Sequence, residues 1–197
     1  MEGSLGFLFL TFLIIPLPHF FILCTGHTHS EVRCIDSERH ALLTFKQDLI
    51  DPSNRLSSWT DDGDCCHWVG VVCHNLTAHV QHLHLRSFPP VWDDSISDEQ
   101  NGQNWAHEEA YERWMCGDKL NPSLLDLKHL NYFDLSFNNF SASPIPSFLG
   151  SMKTLTSLNL SYAGFVALIP HQLGNLSKLL YLNLECPWAD LYMNNLQ

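Results

Sequence analysis

The chain has 197 residues, of which 45% are hydrophobic and only 16% are charged. This length fits one domain or a short stack of repeats, and the composition excludes a highly charged disordered chain. The formal net charge of −11 argues against a nucleic-acid partner, because such a partner requires a basic surface on the protein.

The N-terminus has the pattern of a secretory signal peptide. Residues 5–24 are almost wholly apolar and carry no charge, and small residues follow them. This pattern predicts a signal peptide over 1–26, cleaved near Gly26. A retained membrane anchor is the alternative, although two prolines interrupt the run, and Glu2 stands where basic residues are usual. After cleavage we expect no membrane span, because no later apolar run is long enough, and the remaining cysteines can pair in an oxidising compartment.

The C-terminal half repeats itself every 24 or 25 residues. The segments 130–138, 155–163 and 179–184 align with one another, and prolines recur at the same interval before and between them, at Pro122, Pro146 and Pro170. A core LxxLxLxxN at this period is typical of a leucine-rich repeat, in which the leucines of a short strand point into a stacked core. We therefore expect an α/β solenoid, a right-handed leucine-rich repeat coil with a short parallel sheet on its concave face.

Side chains alternate across a strand, so each repeat has inward and outward positions. The inward positions are Phe133, Leu135, Leu158, Leu160, Leu182 and Leu184. The outward positions form what we call the concave face, and we take them as candidate ligand-binding residues: Tyr132, Asp134, Ser157, Asn159, Tyr181 and Asn183. Asn138, which follows the strand, is expected to turn inward and bind backbone groups, whereas Ala163 and Pro187 break that pattern in the next two repeats.

The segment 80–85 lies two periods before 130–135 and is expected to be the first strand of the same sheet. This alignment adds His82 and His84 to the concave face. Their spacing is compatible with a metal site or with a solvated, pH-sensitive surface. Under the second interpretation, ligand affinity would depend on pH between about 5 and about 7.

Between this strand and the later repeats lies an acidic insertion, 88–117. It contains several acidic residues and three tryptophans, Trp92, Trp105 and Trp114. Residues 106–115 could form one short helix. The segment is either a solvated excursion or a recognition loop, and exposed tryptophans would favour recognition.

The segment 27–78 is expected to be an N-terminal cap, because a solenoid exposes its first apolar layer unless something covers it. A helix from Ser37 to Ile50 is predicted, with Asp36 or Ser37 as its N-cap and with Asp51 and Pro52 ending it. Its apolar face would comprise Ala41, Leu42, Phe45, Leu49 and Ile50, and further cover would come from Leu56, Trp59, Trp68 and Val69.

Three motifs of this cap, CIDSERHALLTFK (34–46), LSSW (56–59) and CCHWVGVVC (65–73), resemble the N-terminal cap of plant extracellular leucine-rich repeat proteins. The stretch NPSLLDLKHLNYFDLS (121–136) is similar to the opening repeats of plant receptor-like proteins, including the fungal-xylanase receptor type. The resemblance covers nearly all of the chain after residue 26, and the cap motif is specific.

The resemblance implies disulfides between Cys34 and Cys65 and between Cys66 and Cys73. It also implies a role in pathogen perception, with a long repeat array, a membrane span and a short tail in complete members. The last repeat stops partway, at Gln197, so we expect a fragment, a truncated product or a chain that needs a partner. Cys116 and Cys186 have no assigned partners, although they could pair with each other.

A zinc site and an enzyme active site are the alternatives to a disulfide-bonded binding module. Cys65, Cys66, His67, Cys73 and His74 could be read as zinc ligands, but the signal peptide and the cap motif favour disulfides. No Ser–His–Asp or paired-carboxylate motif is recognisable, so the sequence predicts neither an enzyme nor a cofactor.

Four N-glycosylation sequons begin at Asn75, Asn139, Asn159 and Asn175, and a glycan on Asn159 would obstruct the concave face.

The expected division of the chain is a signal peptide (1–26), a cap (27–78), a first strand (79–87), the insertion (88–117) and repeats of which the last is incomplete (118–197). Two functions fit this division. The first is the recognition ectodomain of a receptor-like protein, with a microbial or endogenous protein or peptide ligand and a co-receptor kinase as partners. The second is a secreted inhibitor that resembles the polygalacturonase inhibitors. Localisation would be the extracellular side of the plasma membrane or the apoplast, respectively.

Overall fold

A computed structural model describes residues 33–88, 112–140, 143–166 and 169–186. All of them lie in one compact unit that begins at Val32. The signal-peptide prediction for 1–26 lies outside the described residues. Within the described ranges, no helix is long and apolar enough to cross a bilayer.

The cap begins with α1 (Asp36–Gln47), which buries Ala41, Leu42 and Phe45 against the rest of the core. Helix α1 starts and stops earlier than the sequence suggested. Its N-cap is Ile35, whose side chain makes no capping hydrogen bond, so the expectation of Asp36 or Ser37 was wrong. Ile50 lies beyond the helix and is 67% exposed, because the chain there bridges to Cys116 through backbone hydrogen bonds instead of continuing α1.

Two disulfides hold the cap together, and they are the pairs that the family resemblance implied. Cys34 pairs with Cys65 and Cys66 with Cys73, each across a Cα–Cα distance of 5.4 Å. Cys65–His67 forms a 3₁₀ helix between the two bridges.

The apolar cover of the cap comes from two stacked indoles. Trp59 and Trp68 are buried and stack with ring centroids 5.4 Å apart, while Leu56 is buried beside them. Lys46 of α1 reaches over this layer and donates hydrogen bonds to the carbonyl oxygens of Leu56 and Trp59. Val69 was expected to contribute to the cover but is exposed.

Five short strands form one sheet in sequence order: β1 (Val71–Cys73), β2 (Val80–His84), β3 (Tyr132–Asp134), β4 (Ser157–Asn159) and β5 (Tyr181–Asn183). β1 runs antiparallel to β2, and β2 to β5 are parallel. The parallel register pairs Leu83 with Phe133, Leu158 and Leu182 in turn, which is the alignment that the repeat period predicted. The cap strand β1 was not predicted, so 80–84 is the second strand of the sheet and not its first.

Each chain segment between parallel strands returns through a 3₁₀ helix, at Pro122–Asp126, Ser147–Ser151 and His171–Asn175. The recurring prolines lie at or just before the starts of these helices, where a missing N–H and a fixed φ cost little. Each helix buries one leucine, namely Leu124, Leu149 and Leu173. The core lies between these helices and the sheet.

The inward positions of β2, β3 and β4 are buried, as the alternation predicted. The last repeat differs, since Leu182 is 44% exposed and Leu184 only partly buried. β5 is the edge strand among the described residues, so its inward side chains have a packed neighbour on one side only.

Asn138 confirms the expected inward turn. The side chain is fully buried, and its Nδ2 donates to the carbonyl oxygens of Leu85 and Leu135 at 2.8 Å each. Its Oδ1 accepts from the Met115 backbone N–H and the Ser87 hydroxyl. One side chain therefore satisfies backbone groups of β2, β3 and the chain that returns from the insertion.

Candidate ligand-binding surface

The concave face of β2 and β3 carries a cluster of aromatic and imidazole rings. His82 and His84 lie on the same side of β2 with ring centroids 5.6 Å apart. The Tyr132 ring on β3 lies 5.6 Å from His82 and 4.4 Å from His84. The strand alternation and the parallel register bring these three rings together, so the structure places them as the sequence predicted.

Asp134 is at the expected outward position but is not an exposed binding residue. Its side chain is only 4% exposed, because neighbouring rings cover it and its oxygens are used internally. Oδ1 accepts from the Ser136 backbone N–H at 2.9 Å and the Ser136 hydroxyl at 2.7 Å, and Oδ2 accepts from the Tyr132 hydroxyl at 3.2 Å. The expectation that Asp134 is free to contact a ligand is therefore corrected. Alternation along a strand determines the direction of a side chain but not how much of it other groups bury.

Two groups in this cluster have displaced pKa values. Burial lowers the pKa of His84, and the neighbouring His82 lowers it further, while Asp134 acts in the opposite direction. Burial and the Asp134 carboxylate raise the pKa of Tyr132. The lowered pKa favours the neutral form of His84, and the raised pKa keeps the Tyr132 hydroxyl protonated, so that it donates a hydrogen bond to Asp134.

The remaining outward residues continue the face across β4 and β5. Ser157 and Asn159 are half-buried, and Asn159 Oδ1 accepts from the backbone N–H and hydroxyl of Ser161. Tyr181 is exposed, and its hydroxyl accepts a hydrogen bond from Asn183. These side chains make a polar and aromatic surface of the kind found at contacts between macromolecules.

One tryptophan of the insertion, Trp114, lies among the described residues. Trp114 was expected to be an exposed recognition residue, but it is only 6% exposed, and its Nε1 donates to the Phe88 carbonyl oxygen. It also packs edge-on against Phe137, with centroids 6.1 Å apart. The hydrogen bond from Trp114 to Phe88 thus joins the two ends of the insertion. Trp92, Trp105 and most of the expected helix 106–115 lie outside the described residues.

A second ring cluster, beside the concave face, was missed by the sequence analysis. Phe137 and Tyr162 occupy equivalent repeat positions and stack with centroids 4.8 Å apart, while the Arg86 guanidinium lies 5.2 Å from the Phe137 centroid. The Tyr162 hydroxyl donates to Glu185 at 2.8 Å. Aromatic residues 25 apart in the repeat alignment were the signal that could have revealed this column.

A buried carboxylate that joins the cap to the sheet was missed as well. Glu38 of α1 is 2% exposed, and its Oε2 accepts from the Val80 backbone N–H at 2.7 Å. Its Oε1 lies 2.9 Å from His79 Nδ1, and the His79 ring stacks on His129 with centroids 3.9 Å apart. Nothing in the helical pattern distinguishes Glu38 from an exposed helix residue, so only the tertiary contacts reveal it.

The cysteines do not form a metal site in the part of the chain that is described. Cys34, Cys65 and Cys66 have sulfur atoms within 4.8 Å of one another, but all three belong to disulfides and cannot supply thiolates. Cys116 and Cys186 are free thiols, so the structure does not form the disulfide that the sequence left open. Burial raises the pKa of the Cys116 thiol, which makes it a poor nucleophile.

The four sequons lie in different surroundings. Asn75 is exposed in the turn between β1 and β2, and Asn175 is exposed at the end of a 3₁₀ helix. Asn139 is exposed, but its backbone is bonded to the segment around Met115 and Gly117. Asn159 lies on the concave face, and its Oδ1 accepts a hydrogen bond from the hydroxyl of Ser161, the third residue of its own sequon.

Comparison with known proteins agrees with this architecture. Residues 35–74 match the family Leucine rich repeat N-terminal domain. Receptor-like protein EIX1 of Solanum lycopersicum is 40% identical over 77% of this chain, and Receptor-like protein EIX2 of the same species is 41% identical over 75% of it. The chain spans only 14% and 13% of the lengths of these two relatives.

Among solved structures, the crystal structure of the BIR3–SERK2 complex from Arabidopsis thaliana contains a chain of the same fold. It matches with a TM-score of 0.57 and 28% identity, covering 74% of this chain and 67% of the other. The cap disulfides, the parallel sheet and these similarities lead to one conclusion. The chain is a leucine-rich repeat solenoid with a leucine-rich repeat N-terminal cap, and it is similar to a part of plant receptor-like proteins.

Proposed function

We propose that this chain is an extracellular ligand-recognition module of a plant receptor-like protein that acts in pathogen perception and defence signalling. It works by binding and not by catalysis. One observation carries the proposal: the outward residues of β2 to β5 are varied polar and aromatic side chains, although the repeat itself requires only the inward leucines. Such freely varying positions on a rigid sheet are where a scaffold of this type can encode ligand specificity.

The ligand class that fits is a protein or peptide. The face extends across four parallel strands, and its tyrosines and imidazoles are rigid groups that supply contact area at small entropic cost. We place Tyr132, Ser157 and Tyr181, which follow one another across three strands, in the centre of this contact. The insertion 88–117 is included in this proposal as a second ligand-contacting segment.

The partners and the location follow from the relatives. A co-receptor kinase is the expected second partner, and the crystal structure of the BIR3–SERK2 complex shows that a related solenoid has been crystallised in a two-protein complex. The two cap disulfides suit the secretory pathway and the outer side of the plasma membrane. Signal cleavage near Gly26 and glycans at Asn75 and Asn175 belong to the same proposal.

The test uses a matched pair of bulky substitutions. Ser157→Arg places a long charged side chain in the middle of the concave face, whereas Ser147→Arg makes the same change on an exposed 3₁₀ position on the opposite side of the solenoid. The full chain is immobilised and fungal xylanase and fungal polygalacturonase are passed over it as probes. We expect binding of one probe to weaken by at least about tenfold with Ser157→Arg, or about 1.4 kcal/mol, and to be unchanged with Ser147→Arg.

The same experiment separates the two candidate functions. Binding of polygalacturonase together with loss of its enzymatic activity would replace receptor-type recognition with inhibition. Binding of xylanase that the two arginine variants weaken equally would remove the concave face from the proposal.

A further inference from the structure

A row of four side chains follows the carboxyl ends of the parallel strands, beside the concave face. We call it the ring row, and it comprises Arg86, Phe137, Tyr162 and Glu185. Phe137 and Tyr162 are repeat equivalents, because their backbone N–H groups bond to the carbonyl oxygens of Ser161 and Glu185 in the next repeat. Arg86 follows β2 and Glu185 follows β5, at the two ends of the row. The row therefore presents a cation, two rings and an anion in that order.

The backbone turn does not require aromatic residues at the two middle positions. Phe137 and Tyr162 have φ angles of 56° and 54°, in the left-handed region. Glycine and asparagine adopt this conformation most readily, whereas a bulky side chain is strained there. Stacking of the two rings offsets only part of that strain. Half-buried rings held in a strained conformation at the surface indicate a contact with another molecule.

Both charged ends of the row are held in place, yet neither is paired with an opposite charge. The Arg86 guanidinium lies 5.2 Å from the Phe137 ring centroid, and Glu185 Oε1 accepts from the Tyr162 hydroxyl at 2.8 Å. Neither charge belongs to an ion pair within the described ranges, and both residues are exposed. A guanidinium stacked on a ring keeps its N–H groups available at its edge, where they can bind a carboxylate.

The spacing of these two charges matches an extended peptide. Three strand-to-strand steps separate β2 from β5, which is about 14 Å at the usual spacing of about 4.8 Å. Arg86 and Glu185 are therefore too far apart to pair with each other. In an extended peptide, residues i, i+2 and i+4 point to the same side, and i and i+4 are about 13 Å apart. Such a peptide, laid along the row, can contact Arg86, the rings and Glu185 with these three residues.

We propose that the ring row binds an extended peptide segment with an acidic residue at i, an apolar residue at i+2 and a basic residue at i+4. The acidic residue pairs with Arg86, the apolar residue packs on the two rings, and the basic residue pairs with Glu185. A segment whose two charges have the same sign is rejected, because one of them faces a like charge. This inference rests on the proposed function, since it takes the ligand to be a protein or peptide.

The experiment passes the full chain over four immobilised synthetic peptides and measures binding by surface plasmon resonance. The peptides have the form X-Ser-Leu-Ser-Z with blocked ends on a flexible linker. Three of them carry Asp and Lys, two Asp or two Lys at X and Z, and the fourth is the Asp and Lys peptide with Ser in place of Leu. Arg86→Glu makes both ends of the row acidic, and Glu185→Arg makes both basic. The control, Lys178→Glu, reverses an exposed charge that precedes β5.

We expect the unsubstituted chain to bind the Asp and Lys peptide at least about tenfold more tightly than the other three, because only this peptide satisfies all three contacts. Arg86→Glu should transfer the preference to the peptide with two Lys, and Glu185→Arg to the peptide with two Asp. Lys178→Glu should keep the original preference. Two substitutions that switch the preference in opposite directions cannot act by unfolding the chain.

Two results would overturn the proposal. Equal binding of all four peptides, or binding of none, would show that the row does not select this segment. A change of preference with Lys178→Glu as large as that with Arg86→Glu would assign the effect to the net charge of the chain. The peptide assay contains no enzyme and leaves Ser157 unchanged. Its failure therefore leaves the concave-face proposal standing, and that proposal fails on its own if the Ser157→Arg test does.

Discussion

At the residue scale, Asn138 shows how one buried polar side chain connects neighbouring repeats. Its amide is fully buried and makes hydrogen bonds to groups of β2, β3 and the returning insertion. The sequence predicted this role from the position of the asparagine in the repeat. It also predicted the interruption at the equivalent Ala163, which is buried as a small apolar residue.

Asn138→Ala should destabilise the fold by roughly 3 kcal/mol, since it leaves several buried backbone groups without partners. Urea unfolding followed by tryptophan fluorescence measures the loss. The exposed Asn175→Ala is the control and should stay within about 0.5 kcal/mol of the unsubstituted chain. Similar losses in both variants would contradict the structural role assigned to Asn138.

His84 should make the fold sensitive to acid. Its pKa in the folded chain is lowered by burial and by His82, so in the range from about 6.5 downward the unfolded chain binds more protons than the folded chain. The free energy of unfolding must therefore fall as the pH drops through that range, and this contribution disappears in His84→Gln. Urea unfolding in EDTA at about pH 8 and about pH 5 should show a smaller loss in His84→Gln than in the control His40→Gln.

At the element scale, the 3₁₀ helices set how closely successive repeats approach. A Cβ on Gly150 would lie 2.1 Å from the Gln172 carbonyl oxygen in the next 3₁₀ helix, a distance that no side chain can adopt. Gly174 has the equivalent position in that helix, and a Cβ there would meet no atom of the described residues within 4 Å. The repeat period places both glycines, but only the structure shows that one of them is required for packing.

Gly150→Ala should destabilise the solenoid by about 1–3 kcal/mol, because the backbone of the following repeat must move away. Gly174→Ala, the same change at the equivalent position, should alter stability by less than about 0.5 kcal/mol. Thermal unfolding of the two variants measures the difference. Equal thermal unfolding midpoints in the two variants would mean that neighbouring 3₁₀ helices can move apart without a loss of stability.

Besides its apolar packing, helix α1 contacts the sheet through the buried carboxylate of Glu38. Glu38 accepts from the Val80 backbone N–H and contacts His79, so it fixes the start of β2 against the cap. Glu38→Ala should cost about 3 kcal/mol in urea unfolding, the upper range for hydrogen bonds to a charged group. Asp36→Ala removes an exposed acid of the same helix and should cost far less. An equal loss of stability in the two variants would show that the effect comes from the negative charge on the helix and not from the buried hydrogen bonds of Glu38.

At the scale of the whole molecule, the cap covers the first layer of the core and is held by two crosslinks of different reach. The Cys34–Cys65 pair spans 31 residues, and the Cys66–Cys73 pair spans 7. The buried indoles of Trp59 and Trp68 lie in the loop closed by the longer bridge or beside its end. The two bridges should therefore contribute unequally to stability.

Loop-closure entropy predicts a loss of about 3.7 kcal/mol for Cys34→Ala/Cys65→Ala and about 2.4 kcal/mol for Cys66→Ala/Cys73→Ala. Urea unfolding under oxidising conditions measures both. Adding a reductant to the unsubstituted chain should destabilise it at least as much as the larger of the two losses. A reversed order would mean that strain or contacts, and not loop length, decide the contribution of each bridge.

The solenoid, the register of β2 to β5 and the direction of each strand side chain could all be predicted from the sequence. These follow from a 24- or 25-residue period and from alternation along a strand, which are local properties of the chain. The cap disulfides came from the family resemblance, because spacing alone leaves pairings open.

The exposure of each outward or helical residue, in contrast, depends on how distant segments of the chain pack together. Asp134 and Trp114 are buried because rings and backbone from other repeats lie against them, and Glu38 is buried because β2 begins beside it. Ile50 and Leu182 are exposed because no described element packs on that side. Cover depends on neighbours that are distant in sequence, so periodicity predicts the direction of a side chain but not its burial.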